Sequence, residues 1–137
     1  MAREAVKRDT KILTSKRYTC ATSINIPKGT YLKNADPSTA SASTGTGDPF
    51  VGFAHAEVNG ASDTDFNTET SVTADKGGIF ELVASGAILV NQYVKTAAPG
   101  NYVMAAGAAD FASLAIVMGI AREEASDGET FNVEVLP

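Results

Sequence analysis

Strand-forming residues in this chain come in short runs, each broken within a few positions by Gly, Pro, Asn or Asp. That punctuation excludes long helices, and no apolar run approaches the roughly 20 residues of a membrane-spanning helix. What remains is a meander of short strands. Tyr18–Ile26 is rich in β-branched residues and stops at Pro27-Lys28-Gly29, and Tyr31-Leu32 opens another strand. Phe50–Val58 ends at Asn59-Gly60, a strong turn dipeptide. Thr70–Ala74 and Gly78–Ala84 flank Asp75-Lys76-Gly77, and the second of these reads as buried on both faces over much of its length. Ala87–Val90, Tyr93–Thr96, Tyr102–Met104, Ala115–Ala121 and Thr130–Leu136 complete the set, while Ala108–Leu114 suits one or two helical turns. Such a pattern predicts an all-β fold, a small β-barrel or β-tulip-like domain with little helix.

Size and composition narrow this further. A chain of 137 residues, with 44% hydrophobic and 20% charged residues, suits one domain with a core of its own. Its one cysteine, Cys20, excludes an intramolecular disulfide and any multi-cysteine zinc site. A single histidine, His55, excludes paired-histidine metal motifs. The charged N-terminus lacks the apolar stretch of a secretory leader, which predicts a protein made in a cytosol.

Charge is unevenly distributed. Residues 1–17 hold six basic side chains (Arg3, Lys7, Arg8, Lys11, Lys16 and Arg17) against Glu4 and Asp9, a net +4, leaving −9 on the remainder of a chain of net charge −5. The expected organisation is an extended basic arm, 1–17, followed by one β-rich domain, 18–137. With Ile12 and Leu13 as its short apolar run, the arm is suited to docking on an acidic or open-edged partner. Nucleic acid is not the expected target, because the acidic body repels it and no aromatic residues interleave the basic ones. Between 36 and 49 the composition falls to Ser, Thr, Ala, Gly, Asp and Pro, which predicts a long mobile loop. No Gly-Lys-Ser/Thr follows its glycines, so it is not a phosphate loop.

An internal echo is visible. Val51-Gly52-Phe53-Ala54-His55-Ala56-Glu57 resembles Met118-Gly119-Ile120-Ala121-Arg122-Glu123-Glu124, and each is followed by Ala-Ser-Asp and then Phe-Asn-x-Glu. The expectation is two related strand-turn-strand units within one barrel, with Gly52 and Gly119 at equivalent bends or close backbone approaches.

The chemically suggestive residues assemble into no recognisable active site. Asp63-Thr64-Asp65-Phe66-Asn67-Thr68-Glu69 spaces oxygen ligands as a calcium loop does, but Thr68 stands where that loop needs Gly and Ala74 where it needs Glu. A solvated acidic loop is the better reading, and no metal or cofactor is expected. His55 has no nucleophile motif beside it and reads as a packing or surface histidine rather than a general base. Cys20 near Lys16 and Arg17 reads as a small buried hydrophobe. Glu123, Glu124, Asp127 and Glu129 surround the turn Ser126-Asp127-Gly128 as a soluble hairpin end. No enzyme is expected.

Gly78-Ile79-Phe80-Glu81-Leu82, Tyr93-Val94, Met118-Gly119-Ile120-Ala121 and Val133-Glu134-Val135-Leu136 together carry a pattern that resembles the tailed-phage head decoration, or capsid cement, proteins. The similarity runs mainly over residues 50–136; the arm and the 36–49 segment lie outside it. The resemblance implies a non-enzymatic virion protein on the capsid exterior, made in the host cytoplasm. Its implied partners are the major capsid protein and its own copies in a homotrimer, with no direct nucleic acid and no membrane. On charge, the expected capsid-binding residues are Arg3, Lys7, Arg8, Lys11, Ile12, Leu13, Lys16 and Arg17. A head-fibre or tail-associated trimer base is the alternative within virions, and a β-barrel carbohydrate-binding module or enzyme the alternative outside them. The lack of Trp, with only 7% aromatic residues, argues against carbohydrate platforms.

Overall fold

The computed structural model describes residues 5–7, 14–20, 25–59, 70–97, 101–112 and 116–137. Their strands are β1 (Val6–Lys7), β2 (Thr14–Thr19), β3 (Asn25–Ile26), β4 (Tyr31–Asp36), β5 (Thr39–Ala42), β6 (Phe50–Ala54), β7 (Val58–Asn59), β8 (Ser71–Lys76), β9 (Gly78–Val83), β10 (Tyr93–Ala97), β11 (Tyr102–Ala105), β12 (Val117–Ala121) and β13 (Thr130–Val135). Among the described residues the only helix is a 3-10 segment, Ala108–Ala112. The fold is all-β, as the punctuation predicts.

β2, β5, β4, β6 and β8 close into a five-stranded barrel. β1, β9, β13, β12, β10 and β11 form a six-stranded sheet, and β3 pairs with β7. Apart from β1, the larger sheet repeats the barrel's plan. The order β2-β8-β6-β4-β5 matches β9-β13-β12-β10-β11. Each set returns on itself through a parallel contact, Thr19 with Thr39 in the first and Ala84 with Val103 in the second.

The correspondence reaches individual residues at several places. β4 and β6 pair Leu32 with Gly52 and Lys33 with Phe50, so Val51 is bulged out; β10 and β12 pair Val94 with Gly119 and Lys95 with Val117, so Met118 is bulged out. Ser43 N–H donates to Tyr31 O at 2.8 Å, and Ala106 N–H to Tyr93 O at 2.9 Å. Gly29 N–H donates to Ala54 O as Asn91 N–H does to Ala121 O, and both donors sit at positive φ, 84° and 67°. Glycine is free to adopt that conformation and Asn is the side chain that best tolerates it, which explains how two different residues fill one place.

The two interiors also match. Tyr18, Cys20, Ile26, Leu32, Ala40, Ala54, Val58, Val72 and Ala74 fill the first barrel. Leu82, Ala84, Ile88, Val94, Val103, Ala121, Ala125, Phe131 and Val133 stand at the corresponding places of the second. Between the two sets Ile26 matches Ile88 and Ala54 matches Ala121, while the other pairs retain only apolar character. Strand alternation places the neighbours of the first set on the barrel's outside, and there Tyr31, Phe50 and Phe53 join the second core. Phe53 lies 4.4 Å, centroid to centroid, from Phe80 and edge-on to Tyr31 at 5.1 Å. One barrel's aromatic outer face thus closes the open end of the other.

Three expectations need correction. The echoed units lie in two sheets, β6 in the barrel and β12 in the larger sheet, rather than in one barrel. Residues 14–17, grouped with the arm on charge, are strand residues of β2 paired along β8, and Val6–Lys7 pair with β9. The 36–49 segment, read as a mobile loop, contains β5, and its Ala40 and Ser43 are buried. The narrow interior of a five-stranded barrel needs only a methyl group there, so a run with no large apolar side chain still anchors.

Candidate functional site

The register of β6 against β8 sets Phe53 opposite Asp75 and Ala54 opposite Ala74, which brings His55, the residue after β6, beside Asp75. His55 Nδ1 lies 2.6 Å from Asp75 Oδ2. His55 is exposed, whereas Asp75 is 7% exposed and its Oδ1 is buried with no hydrogen-bond partner. Beside the pair opens a cleft of about 190 Å³, walled by Ala5, Lys28, Phe53 and Phe80. A carboxylate on Nδ1 holds an imidazole in the tautomer that leaves Nε2 free to accept a proton, the first half of a catalytic relay.

The second half is missing among the described residues, where no hydroxyl or thiol is hydrogen-bonded to His55, and Cys20 is buried inside the first barrel. The internal duplication places a second charged pair at the equivalent position. Arg122 and Glu134 occupy the same two places in the second barrel, with Arg122 Nε donating to Glu134 Oε1 at 2.8 Å and Nη2 to the same oxygen. His55 N–H donates to Thr73 O as Arg122 N–H does to Asn132 O. A guanidinium is always protonated and cannot act as a general base. Both pairs tie the end of one strand to its neighbour.

A second device is also duplicated. Lys33 lies 3.7 Å from Asp48, and Lys95 lies 2.9 Å from Asp110. Asp48 Oδ2 accepts from Thr44 N–H, Gly45 N–H and the Ser43 hydroxyl, and Asp110 Oδ2 accepts from Gly107 N–H. Burial pushes the Asp48 carboxyl up, but these donors and the Lys33 charge outweigh it and hold the group below its ordinary value of 3.8. Asp110 is lowered chiefly by its hydrogen bond from Lys95, then by the Gly107 N–H. Each carboxylate caps the loop that leads into the next strand.

The charge-based docking residues divide. Lys16 and Arg17 are exposed on β2: Lys16 Nζ donates to Pro37 O at 3.0 Å and sits 4.8 Å from the Tyr18 ring, while Arg17 donates to Ser71 Oγ at 2.8 Å. Lys7 belongs to β1, opposite Phe80. Arg3, Arg8, Lys11, Ile12 and Leu13 lie outside the described residues, as does the 63–69 segment with its alternating oxygen ligands. Glu123, Asp127 and Glu129 accept backbone N–H groups of Asn132, Gly86 and Ser126, so the acidic hairpin end is built into the turns around it. Among the described residues no three His, Cys, Asp or Glu side chains converge as a metal ion would require.

No family model matches the chain, and no curated protein matches it. Among solved structures it is similar to the head fiber gp8.5 N base of bacteriophage phi29, at 16% identity and a TM-score of 0.49, over 90% of this chain and 93% of that one. A likeness of that size assigns no role to this chain.

Proposed function

We propose that this chain is a structural protein of a tailed-phage virion that decorates the outer surface of the capsid by binding the major capsid protein lattice, as homotrimers. In this reading it is not an enzyme, needs no cofactor, and contacts neither nucleic acid nor membrane. The observation that carries it is where the family-like residues fall. Gly78–Leu82 lie on β9, Tyr93-Val94 on β10, Met118–Ala121 on β12 and Val133–Val135 on β13, four of the five strands of the second barrel. The resemblance therefore follows one folded unit rather than scattered apolar segments. Among the described residues, the His55–Asp75 pair, an arrangement with catalytic overtones, has a counterpart in Arg122–Glu134 that cannot serve as a general base.

Strand addition at a sheet edge already occurs within the chain, where Val6–Lys7 extend the larger sheet along β9. The neighbouring basic residues Arg3, Lys7, Arg8 and Lys11 suit the same mode of docking on an acidic lattice edge. Deleting residues 1–17 would remove four of the six residues of β2, so charge reversal is the cleaner test. Full-length protein mixed with expanded capsid shells should sediment with them. Arg3→Glu, Lys7→Glu, Arg8→Glu and Lys11→Glu together should weaken binding about tenfold at low salt and less at high salt. Wild-type protein that does not sediment with shells would sink the proposal, and label confined to fibres or the tail would favour the fibre-base alternative.

A further inference from the structure

Tyr31 and Tyr93 occupy the same place in the two barrels, opposite Phe53 and Ile120 respectively. Tyr31 is fully buried, because its face is closed by the second barrel; Tyr93 is 41% exposed. Phe111 stands edge-on to Tyr93 at 5.1 Å and is itself 41% exposed. The turn leading into β10 adds Leu89 at 63% and Val90 at 53%. These are the four large apolar side chains left exposed among the described residues, and all belong to β10, the turn before it or the 3-10 segment packed on it. Grouped apolar exposure with two aromatic rings at its centre is characteristic of a contact surface.

We propose that this face, centred on Tyr93 and Phe111, is where a second copy of the chain docks. The first barrel shows what such a face packs against: the rim of another barrel of the same fold, at Phe80, Met118 and Val135. In a second copy that rim is already closed by its own Tyr31 face, whereas at the first barrel's rim Lys16 is exposed and Lys76 is only partly buried. There Lys16 and Lys76 stand where the second barrel has Phe80 and Val135. Both lysines already engage rings, Lys16 that of Tyr18 at 4.8 Å and Lys76 that of Phe50 at 5.9 Å. A cationic rim receiving an aromatic face is a complementary pair. The contact runs from the second barrel of one copy to the first barrel of the next, so it is heterologous and generates a closed ring when the rotation allows.

The inference rests on the self-association in the proposed function and on no other part of it. Sedimentation of the full chain over a concentration series tests it. Wild type should associate by mass action below about 100 μM, as a micromolar Kd requires. Tyr93→Glu with Phe111→Glu should weaken association at least tenfold with little change in thermal unfolding, since both side chains are half-exposed in the monomer. Tyr93→Phe should associate as wild type does, and Lys16→Glu should weaken association severalfold. A monomeric wild type, association indifferent to the Tyr93/Phe111 changes, or association indifferent to Lys16→Glu would each overturn the proposal. Loss of shell binding alone would leave it standing, while a monomer that still binds shells overturns it and not the capsid reading.

Discussion

Gly119 passes so close to Glu134 that a Cβ on the glycine would stand 2.5 Å from the Glu134 carbonyl oxygen. Gly52 makes the equivalent approach in the first barrel, where a Cβ would stand 2.8 Å from Asp75 O and 2.9 Å from Ala74 Cβ. The obstructing atoms are mostly backbone, which cannot swing aside as a flexible side chain does. Gly119→Ala is expected to cost about 1–3 kcal/mol through forced strand separation. Gly52→Ala adds the strain of φ +140° to the same clash and should cost at least as much. Urea unfolding measures both, with Gly107→Ala, whose Cβ meets nothing closer than 3.8 Å, as the control.

Phe53 joins the two barrels through Tyr31, Phe50 and Phe80. Truncating it opens a cavity at that junction, so Phe53→Ala should destabilise the protein by about 3–5 kcal/mol. Calorimetry should show a lower unfolding temperature, and a midpoint unmoved by the substitution would mean that the barrels do not support one another.

The depressed carboxyls predict acid sensitivity. A carboxyl lowered in the folded state stabilises the protein above the unfolded group's pKa, and that stabilisation is lost as pH falls through the lowered value. Stability should therefore hold between pH 7 and 5 and decline below about pH 4, as Asp48 and Asp110 take up protons and release their loops. Asp48→Asn should lower stability at pH 7 and flatten the acid decline. An unchanged decline in that variant would show that Asp48 does not contribute.

The strand-tying pairs should be interchangeable. His55→Arg with Asp75→Glu imports the Arg122–Glu134 pair into the first barrel and should keep the two strands tied, at a cost of about 1–3 kcal/mol because Asp75, unlike Glu134, is buried and the added methylene overpacks its site. Shell binding should also survive the exchange. Its loss in a folded double variant would give the His55–Asp75 cleft a role that a strand clamp does not explain.

Turn residues and alternation determine strands locally, because Gly, Pro, Asn and Asp act on φ and ψ within a few positions and a pleated chain presents alternate side chains to opposite faces. The existence and approximate extent of β6, β8, β9, β10 and β13 were therefore legible in the sequence alone. The duplication was legible only around Gly52 and Gly119, where a close backbone approach demands the same residue in both copies. Elsewhere pairs such as Tyr18 and Leu82, or Cys20 and Ala84, share nothing but apolar character, which many sequences satisfy equally. Tertiary structure decided which strands share a barrel, that Ala40 fills an interior, that Asp75 meets His55, and that Tyr31 is covered while Tyr93 is not. Each depends on pairing between segments far apart in the chain, and one residue of register shift would turn those same side chains to the opposite face.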